Sequence, residues 1–240
     1  MDGKAPGTHS ELIVTIDGPA GAGKSTIARE LAQKLGFLLL DTGALYRATA
    51  LYLVRSGVNP DEGTVPDDVL KRIDLRVEPG VGTMRVFLGD EDISQTIRGE
   101  LVGDAASRFS AKPEVRRALL DLQRSLAAGR RLVAEGRDMG TVVFPDAAIK
   151  FFLTADLEER ASRRFRELLE RDASSPPLEE ILADMRARDR RDESRHQSPL
   201  MRASDAVVVD TTALSPGRVL QVLLDHVAAQ SQLLESTENR

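Results

Sequence analysis

Residues 18–26 read GPAGAGKST, directly after the apolar run LIVTI (12–16). The glycines and alanines leave little to pack, and the stretch is too sharply punctuated for the interior of a helix. Gly18, Gly23, Lys24 and Ser25 meet the pattern G-x-x-x-x-G-K-[ST]. Glycines let a backbone wrap a phosphate with its N–H groups turned inward, where side chains would block the approach. Lys24 then places positive charge on the β- and γ-phosphates, and the Ser25 hydroxyl is a ligand for Mg²⁺. The helix that follows turns its positive end toward the anion. The whole run Gly18, Pro19, Ala20, Gly21, Ala22, Gly23, Lys24, Ser25 and Thr26 is thus expected to cradle a nucleoside triphosphate. A chance glycine-rich turn is the competing reading, and the strand before it and amphipathic helix after it argue against that. The motif alone does not separate kinase, ATPase and GTPase.

Outward from this loop the chain alternates. Four more continuous apolar runs follow, FLLL (37–40), RLVAE (131–135), IKFFLT (149–154) and AVVVD (206–210), as expected of parallel strands covered on both faces. Helical spacing lies between them. Ile27, Leu31 and Leu35 share one face of a helix over 24–35, with Gly36 as its C-cap. Further helices are predicted over 44–55, 115–128, 157–172, 178–192 and 214–229, with the breaker SSPP (174–177) between two of them. The pattern predicts an α/β fold: a doubly wound parallel five-stranded sheet with helices on both faces. The core is placed at 11–59 and 111–229, with flexible tails at 1–10 and 230–240. Between 60 and 110 the signals become short and turn-rich, and Leu75, Val77, Val86 and Leu88 fall at period-2 spacing. A small antiparallel unit inserted between the second and third core strands is the simplest reading. A long excursion without a role of its own is the alternative.

Composition sets the limits. The 240 residues fit one large domain, or a core with an insert, and 41% hydrophobic content without tryptophan rests the core on Leu, Val, Ile and Ala. The absence of cysteine excludes disulfides, thiolate metal sites and a Cys nucleophile, and suits a reducing compartment. No apolar run approaches the roughly 18 residues of a membrane span. The start MDGKAPGTHSE lacks the apolar core of a signal peptide. A net charge of −5 argues against general nucleic-acid binding. A cytoplasmic globular protein without a membrane partner is expected.

Two further stretches sit where strands of such a sheet end, which is where ligands bind. DTGALYR (41–47) offers a short hydroxyl residue, a glycine and an arginine one helical turn on, a second anion site in which Arg47 grips a phosphate with both arms. A capped helix with a surface arginine is the alternative. EGRDMGTVVFPD (135–146) offers Arg137 for a phosphate and Asp138 as acceptor for an amino group or a sugar hydroxyl.

Taken in order, IDGPAGAGKST, LDTGALYR and EGRDMGTVVFPDA resemble the bacterial cytidylate kinases, from about residue 11 to 228. The resemblance implies a P-loop NTPase-type fold, a nucleoside-monophosphate kinase acting on CMP and dCMP with ATP and Mg²⁺, and an NMP-binding insert at 60–110. It implies Thr42 and Arg47 on the CMP phosphate side, with Arg137 in the same clamp. Ser107, Arg116 and Asp138 would serve the cytosine and its surroundings, and Arg188, Asp192 and Arg195 the acceptor phosphate and sugar. Lys24, Arg137 and Arg188 are the expected catalytic groups.

From 158 to 202 the chain carries eleven basic and eleven acidic residues, a balance that favours a salt-bridged helical pair over a nucleic-acid stripe. Phosphoryl transfer nevertheless needs arginines to neutralise charge, and Arg160, Arg163 and Arg164 are expected on a lid (156–195), with Arg160 and Arg164 facing ATP. A plain solvated face is the alternative. The rival functions are a kinase of another monophosphate or small metabolite, a regulatory GTPase, for which no guanine-reading N-K-x-D exists here, and a nucleotide-binding scaffold without turnover. The chain is expected to act as a monomer on small-molecule substrates.

Overall fold

Strands buried on both faces need helices on both sides, and that requirement sets the architecture. The computed structural model describes residues 12–171 and 175–238. The core strands are β1 (Ile13–Asp17) and β2 (Leu38–Asp41); the helices beside them are α1 (Lys24–Leu35) and α2 (Thr42–Arg55). After an insert come α5 (Pro113–Ala127), β6 (Leu132–Glu135), β7 (Ile149–Thr154), α6 (Leu157–Arg171), α7 (Leu178–Glu193), β8 (Val207–Asp210) and α8 (Pro216–Glu238). The five strands pair in parallel in the order β2-β6-β1-β7-β8. Alternation sends neighbours to opposite cores. Leu39 and Val133 join Ile27, Leu31, Val219 and Leu223 beneath α1 and α8. Leu40 and Leu132 join Leu45 of α2 and Leu119 of α5 on the other face. Each such leucine, fully buried, contributes roughly 1.5–3 kcal/mol relative to exposure.

The insert holds α3 (Asp67–Lys71), β3 (Leu75–Gly80), β4 (Thr83–Leu88), β5 (Glu91–Asp92) and α4 (Glu100–Phe109). Its three strands form an antiparallel sheet in which Leu75 faces Leu88 and Val77 faces Val86. Val86, Ile93 and Ile97 pack on Ala44 and Ala48 of α2, which fastens the insert to the core. The period-2 reading anticipates this sheet but not α4. That helix is amphipathic, burying Ala105, Ala106, Ser107 and Phe109, but it is short and lies in a stretch otherwise marked by turns and period-2 spacing.

One boundary differs from expectation. The final helix runs on to Glu238, through most of the stretch read as a tail from 230, because QSQLLESTE contains neither Gly nor Pro to stop it. The SSPP break falls partly on residues 172–174, outside the described residues, as does the expected tail at 1–10. The two helices on either side of the break share a small core of Ala161, Leu168, Ile181 and Met185, and Ala20 of the glycine loop packs against it. No helix among the described residues is long and apolar enough to cross a membrane.

Candidate active site

The ends of β1, β2 and β6 open into a cleft of about 1390 Å³, larger than one small ligand needs. Thirteen Lys and Arg but nine Asp and Glu line it, so the cleft is cationic in a chain whose net charge is −5.

One wall is the glycine loop. Gly18 has φ 144, and a Cβ there would stand 2.0 Å from the Leu153 carbonyl oxygen, so no other residue fits. Ala20 through Thr26 line the cleft, whereas Gly18 and Pro19 support the loop from behind. Lys24 is buried, and its Nζ donates to the Pro19 carbonyl at 2.7 Å. Burial first, then Arg137 and Arg188, lowers the pKa of its ammonium to about 7. A polyphosphate beside it would favour the charged form again. Glu135 lies next to Ser25, which hydrogen-bonds its carboxylate; burial first, then Asp41, pushes that carboxyl up.

The facing wall is built from α2, the turn after β6, α4, α5 and α7. Asp41 caps α2, accepting from the Ala44 N–H at 2.9 Å and from Arg47 Nη2 at 3.2 Å. Thr42 Oγ1 donates to the Glu135 carbonyl at 2.7 Å and so joins the ends of β2 and β6. Arg137 Nε donates to Asp192 Oδ2 at 3.0 Å, and Arg195 grips the other oxygen of the same carboxylate. Burial raises the pKa of Asp192, but Arg137, Arg195 and Arg188 around it bring it below the ordinary carboxylate range. Arg116 binds Asp138 with both side chains buried. The Arg116 guanidinium lies 5.3 Å from the centre of the Tyr46 ring. Arg188 sits among Arg137, Arg47 and Arg195; burial first and these neighbours next bring its pKa down to about 10. The Nε atoms of Arg47, Arg116, Arg188, Arg191 and Arg195 are buried without a hydrogen-bond partner. Unsatisfied donors at this density are costly, and an anion with several oxygens would satisfy them.

All nine residues expected to face the acceptor, Thr42, Arg47, Ser107, Arg116, Arg137, Asp138, Arg188, Asp192 and Arg195, line this one cleft. The lid arginines divide. Arg160 is buried behind the glycine loop, on Ala155 O (2.9 Å), Ala20 O (3.1 Å) and Asp189 (2.7 Å), and does not line the cleft. Arg163 reaches the loop after β8 at Thr211. Arg164 spans to Glu100 of α4 at 2.8 Å. Sequence reading passed over Ser110, whose carbonyl accepts from Arg116 (3.2 Å) and whose hydroxyl accepts from Arg195 (3.0 Å), and also Arg191, 3.4 Å from Ser107 Oγ. A lone serine in a helix-ending turn carries no signal.

The cytidylate kinase family model matches residues 14–229. The chain belongs to the cytidylate kinase family. The cytidylate kinase of Saccharophagus degradans is 46% identical over 213 residues, 89% of this chain and 95% of that protein. The cytidylate kinase of Pasteurella multocida is 43% identical over 218 residues, 91% and 96% of the two chains. An uncharacterised protein of solved structure from Eubacterium ventriosum shares the fold at 12% identity, with a TM-score of 0.51 over 91% of this chain and 99% of that one. In a member of the cytidylate kinase family, the glycine loop and the arginine-rich wall face each other across one cleft.

Proposed function

We propose that this chain is a cytidylate kinase that moves the γ-phosphoryl group of ATP to CMP and dCMP, giving ADP and CDP or dCDP. The observation that carries this reading is the pairing of a glycine-loop phosphate cradle with a second anion site of buried, partly unsatisfied arginines across the same cleft.

The CMP phosphate oxygen is already anionic at neutral pH, so it attacks phosphorus directly and no base is required. The bond from the β,γ-bridging oxygen to the γ-phosphorus breaks as the new one forms, and ADP leaves. Catalysis is then positioning plus charge stabilisation. The loop amides and Lys24 hold the donor. Arg47, Arg137, Arg188 and Arg195 hold the acceptor phosphate, with Asp192 fixing Arg137 and Arg195 in place. Thr42 lies on the phosphate side, and Ser107 and the Arg116–Asp138 pair face the base and sugar. Arg164, and Arg160 through the glycine loop, act on the ATP side. Mg²⁺ suits this site: Ser25 offers a hard oxygen, with the Glu135 carboxylate behind it to orient bound water. When bound with ATP it neutralises charge on the β- and γ-phosphates. A monomer acting in the cytoplasm is part of this proposal.

A coupled assay of ADP release with CMP, dCMP, UMP and AMP tests the reading. CMP and dCMP should lead by at least tenfold, since buried polar groups left unpaired by the wrong base weigh against it. Equal turnover of all four would refute the cytosine assignment.

A further inference from the structure

Asp17 is the last residue of β1 and directly precedes the glycine loop. Its carboxylate is 4% exposed and holds two consecutive backbone amides, Met139 N–H on Oδ1 and Gly140 N–H on Oδ2, each at 2.8 Å. Those amides open a π-helical turn, Met139–Val143, that follows Arg137 and Asp138 without a gap. Pairing of β1 with β6 ends at Ile16 and Glu135, and one last bond runs from the Gly136 N–H to the Ile16 carbonyl at 3.0 Å. Beyond it the fork of Asp17 takes over from the strand ladder. The turn is seated tightly: Met139 is fully buried, and a Cβ on Gly140 would lie 3.0 Å from Thr15 Oγ1 and 3.1 Å from Lys150 Cδ.

This carboxylate is held against the preference of its surroundings. Burial, opposed by the two amides and by Lys24 and reinforced by Asp138, pushes its pKa up to about 6. Its ionised form at neutral pH is therefore retained at a cost to stability. The geometry points to a task that justifies that cost. We propose that Asp17 is a positioning residue for the phosphoryl acceptor: by locking the main chain at 139–140 to the end of β1, it fixes the directions in which Arg137 and Asp138 leave the backbone. One side chain thereby sets the acceptor grip relative to the donor loop. The inference rests on the assignment of CMP to the wall that holds Arg137 and Asp138.

The test uses the full chain and two variants. Asp17→Asn keeps the size but turns an NH₂ toward one of the two amides. Gly140→Ala leaves the carboxylate intact and instead crowds the turn against Thr15 and Lys150, shifting it off the end of β1. For Asp17→Asn the KM for CMP should rise about tenfold, the worth of one charge-assisted hydrogen bond. The Kd for β,γ-imido-ATP, measured without CMP, should stay within about twofold, because the glycine loop makes its own phosphate contacts. The melting temperature at pH 7.5 should fall by no more than a few degrees, since removal of the buried charge offsets part of the cost of the amide left unpaired. Gly140→Ala should raise the KM for CMP in the same direction, by about threefold, with the ATP-analogue affinity unchanged. Should Asp17→Asn fail to fold, Gly140→Ala decides alone by the same two readouts. A KM for CMP within twofold of wild type overturns the proposal. So does ATP-analogue affinity falling as far as CMP use, which would mark a general structural role. Wild-type enzyme without CMP-dependent ADP release would instead overturn the acceptor assignment, an outcome that needs no variant to recognise.

Discussion

At Lys24 the competing demands on this protein meet in one side chain. The ammonium is buried beside Arg137 and Arg188, and burial first and these two next bring it from an ordinary value of 10.5 to about 7. The unfolded chain therefore holds more protons than the folded one between pH 7 and 10.5, and stability rises with pH across that window. Replacing Lys24 by Met should flatten the rise in a urea-unfolding series from pH 7 to 10, and parallel wild-type and variant curves would contradict this. The same variant should lose about 10²–10³-fold in turnover while remaining folded by circular dichroism, as expected when one electrostatic contact to the developing charge is removed. The motif made Lys24 legible in the sequence. It did not make Asp17 legible, because an Asp closing an apolar run reads as an ordinary strand terminator. Its partners, the amides of Met139 and Gly140, lie 122 and 123 residues away. Main-chain donors leave no mark in a sequence.

Among the elements, α4 shows where local patterning stops informing. The parallel strands announce themselves as apolar runs, and each observed strand starts within one residue of its run. Helix α4 is amphipathic but short, set in a turn-rich stretch whose period-2 spacing reads as strand, yet it brings Ser107 to the cleft and Glu100 to Arg164. That ion pair ties the insert to the α6–α7 unit, and it would compete with an ATP phosphate if Arg164 serves the donor as proposed. Its partners are about 29% and 54% exposed, so its net worth is below about 1 kcal/mol. Glu100→Gln should therefore lower the KM for ATP by about two- to fourfold and leave the KM for CMP nearly unchanged, measured in the same coupled assay. An unaltered KM for ATP would show that Arg164 serves the insert and not the donor.

For the whole molecule, the strand order β2-β6-β1-β7-β8 matters more than any single motif. It places β1 at the centre, between β6 and β7, so the loops after β1 and β6 lie side by side although the insert and α5 intervene in sequence. Strand–helix alternation predicts a sheet of this kind, but the convergence of Ser107, Arg116 and Asp192 depends on how the insert, α5 and α7 lean over its edge, and only packing decides that. Donor and acceptor should each stabilise the fold by mass action, about 2.7 kcal/mol at a concentration a hundred times Kd. Together, CMP and β,γ-imido-ATP should raise the melting temperature beyond the sum of their separate shifts if, as proposed, both are held by the α6–α7 unit. Strict additivity would indicate that the two sites are independent.

The crowded guanidinium wall extends beyond catalysis. Five buried arginine Nε atoms without partners, with Arg188 pressed below its ordinary pKa, are mutually repelling groups that substrate anions draw together. Lifetime in the cell would then follow substrate supply: a protease that samples opened chains would find the enzyme soonest when monophosphate and ATP are scarce. The abundance of the enzyme would thus be set after translation, by the nucleotides it consumes.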